Sequence, residues 1–209
     1  MFDEPFDEPP PLQRGDKLFI NNETRLQLDT TEDYVYYGLK KRSSFFGYAL
    51  AYYRAADRLV KTFNSFPDIF NDTLEIPIVF LYRHYVELTL KDLVSDGNTK
   101  FGNPRIDFSY GHKIDLWWKE LKPLLLRLFA LEKSSEEIEA VEACLLEFSN
   151  VDDLSEAFRY PVHKKSKKPF LKNNPHLQSL EYIDVHHLAE KMASIYQFFL
   201  VCSIKFAME

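Results

Sequence analysis

Glycine is scarce in this chain, with six among 209 residues. Neither GxGxxG nor GxxxxGK[ST] can be written anywhere, which excludes the familiar phosphate-cradling loops of ATP and NAD chemistry. Cysteine is scarcer still. Cys144 and Cys202 sit in apolar helical patterns without CxxC spacing, so packing is expected of them rather than a disulfide or a zinc site. The six histidines form no HExxH and no Cys/His array, so no metal and no cofactor is expected. Long hydrophobic runs are missing too. The longest uncharged apolar stretch, Ala193 to Ile204, falls short of the roughly 20 residues that cross a bilayer. The start, Met1-Phe2-Asp3-Glu4-Pro5, has neither a cationic n-region nor an apolar h-region. The expectation is a cytoplasmic protein with no membrane partner.

What is present is ordinary globular composition, 45% hydrophobic and 28% charged, in a length suited to one domain. Residues 1–30 contain Phe2-Asp3-Glu4-Pro5, Phe6-Asp7-Glu8-Pro9 and two further prolines. They read as a flexible tail, or as a strap in which Lys17 to Ile20 and Arg25 to Leu28 flank an Asn21-Asn22 turn. Residues 31–209 read as the folded domain.

From Ser43 onward helical periodicity dominates. Phe45, Ala49, Tyr52, Ala56, Leu59, Phe63 and Phe66 step alternately by four and three, which predicts an amphipathic first helix. A second is expected from Leu74, with Pro77 in its first turn and a stop at Asp96-Gly97-Asn98. A third begins near His112 and meets Pro123, where it must kink or divide. The fourth opens with the capping box Ser134-x-x-Glu137. The last opens at Asp184 and carries Val185, Leu188, Met192, Ile195, Phe199, Cys202 and Phe206 in unbroken heptad spacing. The fold class is therefore all-α, an up-and-down antiparallel bundle of about five helices with a long connection, Phe158 to Ile183, before the last.

That connection is basic. The chain carries a formal net charge of −6, yet no acidic residue lies between Ala157 and Leu180, where Arg159, Lys164, Lys165, Lys167, Lys168 and Lys172 fall. A basic island on an acidic chain suits a phosphate polyanion, because local field governs attraction. A solvated lysine loop is the plainer alternative.

Three groups of residues could carry chemistry. On the second helix His84 and Glu87 are three apart, flanked by Arg83 and Lys91; they read either as a general acid/base with its carboxylate or as a polar stripe with an Arg83–Glu87 surface ion pair. His112 follows Tyr110-Gly111 and precedes Asp115 by three, either a supporting site residue or simply a helix start. The third group is Arg159-Tyr160-Pro161-Val162-His163. Pro161 ends any helix before it and leaves the Arg159 guanidinium able to fork onto a phosphate, with His163 following. An arginine to stabilise phosphoryl oxygens and a histidine to move protons suffice for metal-free RNA cleavage; the plainer alternative is an arginine capping a helix terminus and an exposed loop histidine.

The order of these features, Tyr85-Val86-Glu87-Leu88-Thr89-Leu90-Lys91-Asp92-Leu93, then Gly111-His112-Lys113-Ile114, then Phe158-Arg159-Tyr160-Pro161, resembles the HEPN superfamily over roughly Ser43 to Phe206. The resemblance implies a dimerising helical bundle, often an RNA-cleaving toxin or a bacterial defence protein acting with a nucleotidyltransferase. On that reading the chain is a metal-independent endoribonuclease. Arg159, His163, His84 and Glu87 would then be catalytic, Tyr160 and His112 supporting, and Lys164, Lys165, Lys167, Lys168 and Lys172 RNA-binding. Arg159 and His163 enclose three residues where the family motif commonly spaces them more widely. This favours the alternative, a non-catalytic interaction or nucleotide-binding module working with a partner protein.

Overall fold

The computed structural model describes residues 45–63, 74–104, 108–129, 135–170, 174–179 and 183–208, all within the unit Lys40–Glu209. The proposed tail and strap, the capping residue Ser134, and Lys172 lie outside the described residues. Five long helices make the bundle: α1 (Phe45–Phe63), α2 (Glu75–Phe101), α3 (Ile114–Leu128), α4 (Ser135–Val151) and α6 (Val185–Ala207). A short helix, α5 (Pro175–Ser179), lies within the basic connection. The all-α expectation holds, and no strand occurs among the described residues. The nearest approach to one is an isolated antiparallel bridge between Val162 and Pro169. No described helix is long and apolar enough to cross a membrane.

Helix α2 is the axis, packing on α1, α3 and α6. Its residues Ile78, Val79, Tyr82, Tyr85, Val86, Leu88, Leu90, Leu93 and Val94 are all buried. They lie around the whole circumference rather than along one stripe, as a central helix requires. Asp96-Gly97-Asn98 does not stop this helix, which runs on to Phe101. Gly97 serves a different purpose: a Cβ there would stand 2.9 Å from Leu124 Cδ1 and 3.0 Å from Phe206 Cζ, so its bare backbone lets α3 and α6 approach. The true stop is Gly102, left-handed at φ 69°, whose N–H reaches the carbonyls of Asn98 and Thr99.

Helix α3 passes through Pro123 as a single element. Trp117 and Trp118 are buried on it, with their indole N–H groups donating to Gly111 O at 3.1 Å and Glu142 Oε1 at 2.9 Å. Burial of such rings contributes about 2–3 kcal/mol each, provided the N–H finds an acceptor. Helix α6 starts where expected. Asp184 Oδ1 accepts from the backbone N–H of His186 at 3.0 Å and His187 at 2.9 Å, satisfying two of the four orphan donors of a helix start.

One connection decides where the site lies. Gly97, late in α2, meets Leu124, late in α3, while Arg83, early in α2, meets His112 just before α3. Helix α3 therefore runs beside α2 in the same direction, where the up-and-down expectation has neighbouring helices antiparallel.

Candidate functional site

Arg83 and Glu87, one turn apart on α2, are 0% and 1% exposed. The polar stripe expected at the surface is thus interior, because α2 is covered on every side. Buried charge survives only when paired and hydrogen-bonded, and the Arg83 guanidinium reaches four residues. Nε donates to Asp152 O at 2.8 Å, and Nη2 donates to His112 O at 2.9 Å and Asp153 O at 3.3 Å. Nη1 donates to Glu87 Oε2 at 3.3 Å. One side chain thereby ties together α2, the segment before α3 and the segment after α4. Burial lowers the Arg83 pKa from its ordinary value, and the carboxylates of Asp152 and Glu87 act in the opposite direction.

Glu87 is the second hub. Lys91 Nζ donates to its Oε1 at 2.6 Å, and His112 Nδ1 lies 3.0 and 3.1 Å from its two oxygens. His84 Nδ1 stands 3.8 Å from Oε2. Burial works against the carboxylate, yet His84, Lys91 and His112 together hold its pKa well below the ordinary carboxylate range. A carboxylate only accepts, so His112 donates from Nδ1 and its Nε2 is left as the basic nitrogen of the neutral ring. That ring is half exposed, with a side-chain exposure of 50% against 1% for Glu87. A fixed carboxylate behind an outward-facing imidazole is the arrangement of a general base. The sequence pattern places His84 beside Glu87, and the structure adds His112 as the closer partner.

His84 is held by rings on two sides. Phe80 stacks on it at 5.7 Å and 11°, and Tyr52 meets it edge-on at 4.4 Å. The guanidinium of Arg159 lies over the same Phe80 ring at 5.7 Å and over Tyr160 at 5.5 Å. Arg159 is exposed, and its Nε donates to the carbonyl of Ser155. His84, His112 and Arg159, distant in sequence, are thus brought to one neighbourhood through Glu87, Phe80 and the Arg83 ties.

Asp152 makes that possible, and no motif marks it in the sequence. Buried at the end of α4, its Oδ1 accepts from the backbone N–H of Glu156 at 2.7 Å and Ala157 at 3.1 Å, which shapes the turn leading to Arg159. Its Oδ2 lies 3.7 Å from Arg83 Nε. The only sequence signal for it is an Asp four residues before Glu156 at a helix end, a common turn pattern.

His163 sits differently from His112. Its Nδ1 accepts from the backbone N–H of Lys165 at 3.2 Å and Ser166 at 3.3 Å. Its backbone N–H donates to Lys168 O at 2.9 Å, and the Lys167 N–H donates back to His163 O at 2.8 Å, which closes the turn. With Nδ1 accepting, the neutral ring carries its proton on Nε2, 4.0 Å from Glu156 Oε2. His163 therefore organises the turn that presents Lys164, Lys165, Lys167 and Lys168, all exposed. Lys167 holds a positive φ of 58° within it. Cys144 and Cys202 are free thiols, and no group of three or more His, Cys, Asp or Glu side chains among the described residues could hold a metal ion.

No protein-family model, curated protein or solved structure matches the chain.

Proposed function

We propose that the protein is an RNA-directed, HEPN-like endoribonuclease that works without a metal, with His112 rather than His163 as its base. The observation that carries this reading is the buried Glu87 carboxylate holding His112 Nδ1 at 3.0 Å while the rest of the imidazole faces solvent.

In the proposed reaction His112 Nε2 takes the proton of a ribose 2′-hydroxyl. The 2′-oxygen bonds to phosphorus, and the bond from phosphorus to the 5′-oxygen breaks. His84, beside the same carboxylate, returns a proton to the leaving 5′-oxygen. Arg159 forks onto the non-bridging oxygens as their charge grows, and the lysine turn gathers the flanking phosphates. The products are a 2′,3′-cyclic phosphate and a 5′-hydroxyl. A homodimer, with one such face from each chain, belongs to the same proposal, as does a role in a toxin or defence system.

A second reading is favoured by His163, whose Nδ1 is engaged by the turn it closes. There the same face binds RNA, a nucleotide or a partner protein without cleaving anything. Incubation of the purified full chain with RNA in EDTA, alongside His112→Ala and Arg159→Ala, separates the two. Cleavage to cyclic phosphate ends that is lost about 100-fold or more in His112→Ala supports the enzyme. Intact RNA that is nonetheless bound supports the module, and cleavage undiminished in His112→Ala removes the assigned base.

A further inference from the structure

Helices α4 and α6 have different packing partners, α3 and α5 for the first and α1, α2 and α3 for the second. Between them lies a cavity of about 270 Å³. An apolar cavity of roughly 150 Å³ already takes a benzene ring, so this one has room for a larger apolar group. Its walls include Val79 of α2, Phe148 and Val151 of α4, Phe158, and Leu188 and Met192 of α6. All six side chains are apolar, and Val79, Phe158 and Met192 are buried. The mouth is different. Glu147 lies on its α4 side, and His187 and Lys191, one turn apart, lie on its α6 side; all three are exposed. Burial and Glu147 push the thiol of Cys144 on the same wall up in pKa, while Lys191 pulls it down, so both opposite charges stand within reach of that residue. Glu147 makes no hydrogen bond or ion pair with a described residue, and the partner of Lys191 is the exposed Glu190 at 3.5 Å. Asp184, also at the mouth, is engaged by the backbone N–H groups of the α6 start.

An apolar interior beneath a mouth with a carboxylate on one side and basic groups on the other matches a zwitterion with an apolar body. A purely anionic head would meet Glu147, and a purely cationic head would meet Lys191. A head with both charges finds a partner on each side, and its apolar body removes the cavity walls from water. We propose that this cleft binds a free α-amino acid with a large apolar side chain, such as phenylalanine or leucine. The ammonium group lies toward Glu147, the carboxylate toward Lys191 and His187, and the side chain against Phe148, Phe158 and Met192. The ligand is bound and not transformed, because the raised pKa of the Cys144 thiol keeps the one nucleophile of the wall protonated. The site stands apart from the RNA reading, since it uses no member of the Glu87 cluster. Val79 and Phe158 immediately precede Phe80 and Arg159, so the ligand touches residues next in sequence to two members of the face assigned to RNA.

The test uses the full chain, with the Cys144 thiol as its probe. Cys202 is 0% exposed, so a maleimide added to the folded protein reads Cys144, and Cys144→Ser gives the background. Protection from the maleimide is titrated with L-phenylalanine and with three partial ligands: L-serine, which keeps the head without the apolar body, 3-phenylpropionate, which lacks the ammonium group, and phenethylamine, which lacks the carboxylate. Midpoints of protection are compared, because they do not depend on the intrinsic reactivity of the thiol. The expected result is saturable protection by L-phenylalanine at millimolar concentration or below, none by L-serine, and midpoints about fivefold higher for the two ligands with half a head. Glu147→Gln should raise the phenylalanine midpoint about fivefold without raising that of 3-phenylpropionate, and Lys191→Gln should do the same without raising that of phenethylamine. Both are exposed positions, so thermal stability should be unchanged. Absence of protection by millimolar L-phenylalanine overturns the site. Equal midpoints for phenylalanine and the half-headed ligands, or an equal loss for every ligand in either variant, overturns the amino-acid assignment.

Discussion

Two clusters of charge in this molecule stand in opposite physical situations. Arg83 and Glu87 are buried, and Arg83 hydrogen-bonds to Glu87, His112, Asp152 and Asp153. Lys164, Lys165, Lys167 and Lys168 are exposed on a turn held by backbone bonds around His163. The buried cluster holds charge at the cost of desolvation, so each member is committed to neighbours and the group acts as a brace. The exposed cluster gains little for the fold and leaves its cations able to meet another anion. Architecture is therefore concentrated in the first and binding in the second, and the comparison can be tested from both ends.

The largest effect is expected at the brace. Arg83→Ala would leave Glu87 short of a cation and three backbone carbonyls short of a donor. Truncating one partner of a buried pair costs about 3–5 kcal/mol, which chemical denaturation would read as a large fall in midpoint. Arg83→Lys should restore little of this, because an ammonium cannot reproduce the fork that reaches four residues. A loss below about 1 kcal/mol for the alanine variant would mean that the cluster is not a brace.

The brace is only partly legible in the sequence, for a reason visible in α2 itself. Its four-three stripe of Val79, Tyr82, Val86, Leu90 and Leu93 predicts a helix with one buried face. Ile78, Phe80, Leu81, Tyr85, Leu88 and Val94 are apolar as well, and they populate the other faces. A helix apolar all round is central, so Arg83 and Glu87 have to be interior whichever way they point. Gly97 is ambiguous for a related cause: glycine signals a stop and a close approach alike, and only the positions of Leu124 and Phe206 distinguish them. The heptads of α6 and its Asp184 cap depend on neighbours in sequence, and they are fully legible. The Glu87–His112 pair joins positions 25 apart, and it depends on the start of α3 lying beside the early part of α2, which no local pattern encodes.

A half-buried carboxylate on the same helix, Asp92, behaves differently. Glu87, among cations, is held well below the usual range, whereas burial and the neighbouring Asp96 push Asp92 up to about 6. The signs are opposite. The contribution of Glu87 is present above its unfolded pKa and is lost as acid carries pH down from there. Asp92 binds its proton more tightly when folded, so its contribution is full below its unfolded value and is lost as pH rises through about 6. Asp92→Asn should therefore remove a decline in stability between about pH 4 and pH 6 and leave the protein about 1 kcal/mol more stable at neutral pH, after allowing for solvent screening. Denaturation midpoints across that window, for both forms, measure it. A variant whose profile parallels the wild type would show that Asp92 does not carry this linkage.

The smallest effect on stability, and the most informative for function, belongs to the exposed turn. Replacing Lys164, Lys165, Lys167 and Lys168 together by alanine breaks no side-chain bond that holds the turn, because closure runs through His163 Nδ1 and backbone groups. Surface changes of that kind stay within about 0.5 kcal/mol. RNA binding should respond quite differently. Each lysine that neutralises a phosphate releases counterions, so the slope of log affinity against log salt should become shallower by up to about 0.7 per lysine for a single strand. Anisotropy titrations of the variant at several salt concentrations, next to denaturation curves, put both quantities on one protein. Unchanged stability with a flatter slope would place binding and bracing in separate clusters, whereas an unchanged slope would reduce the turn to a solvated loop and leave Arg159, among the described residues, as the cation assigned to phosphate.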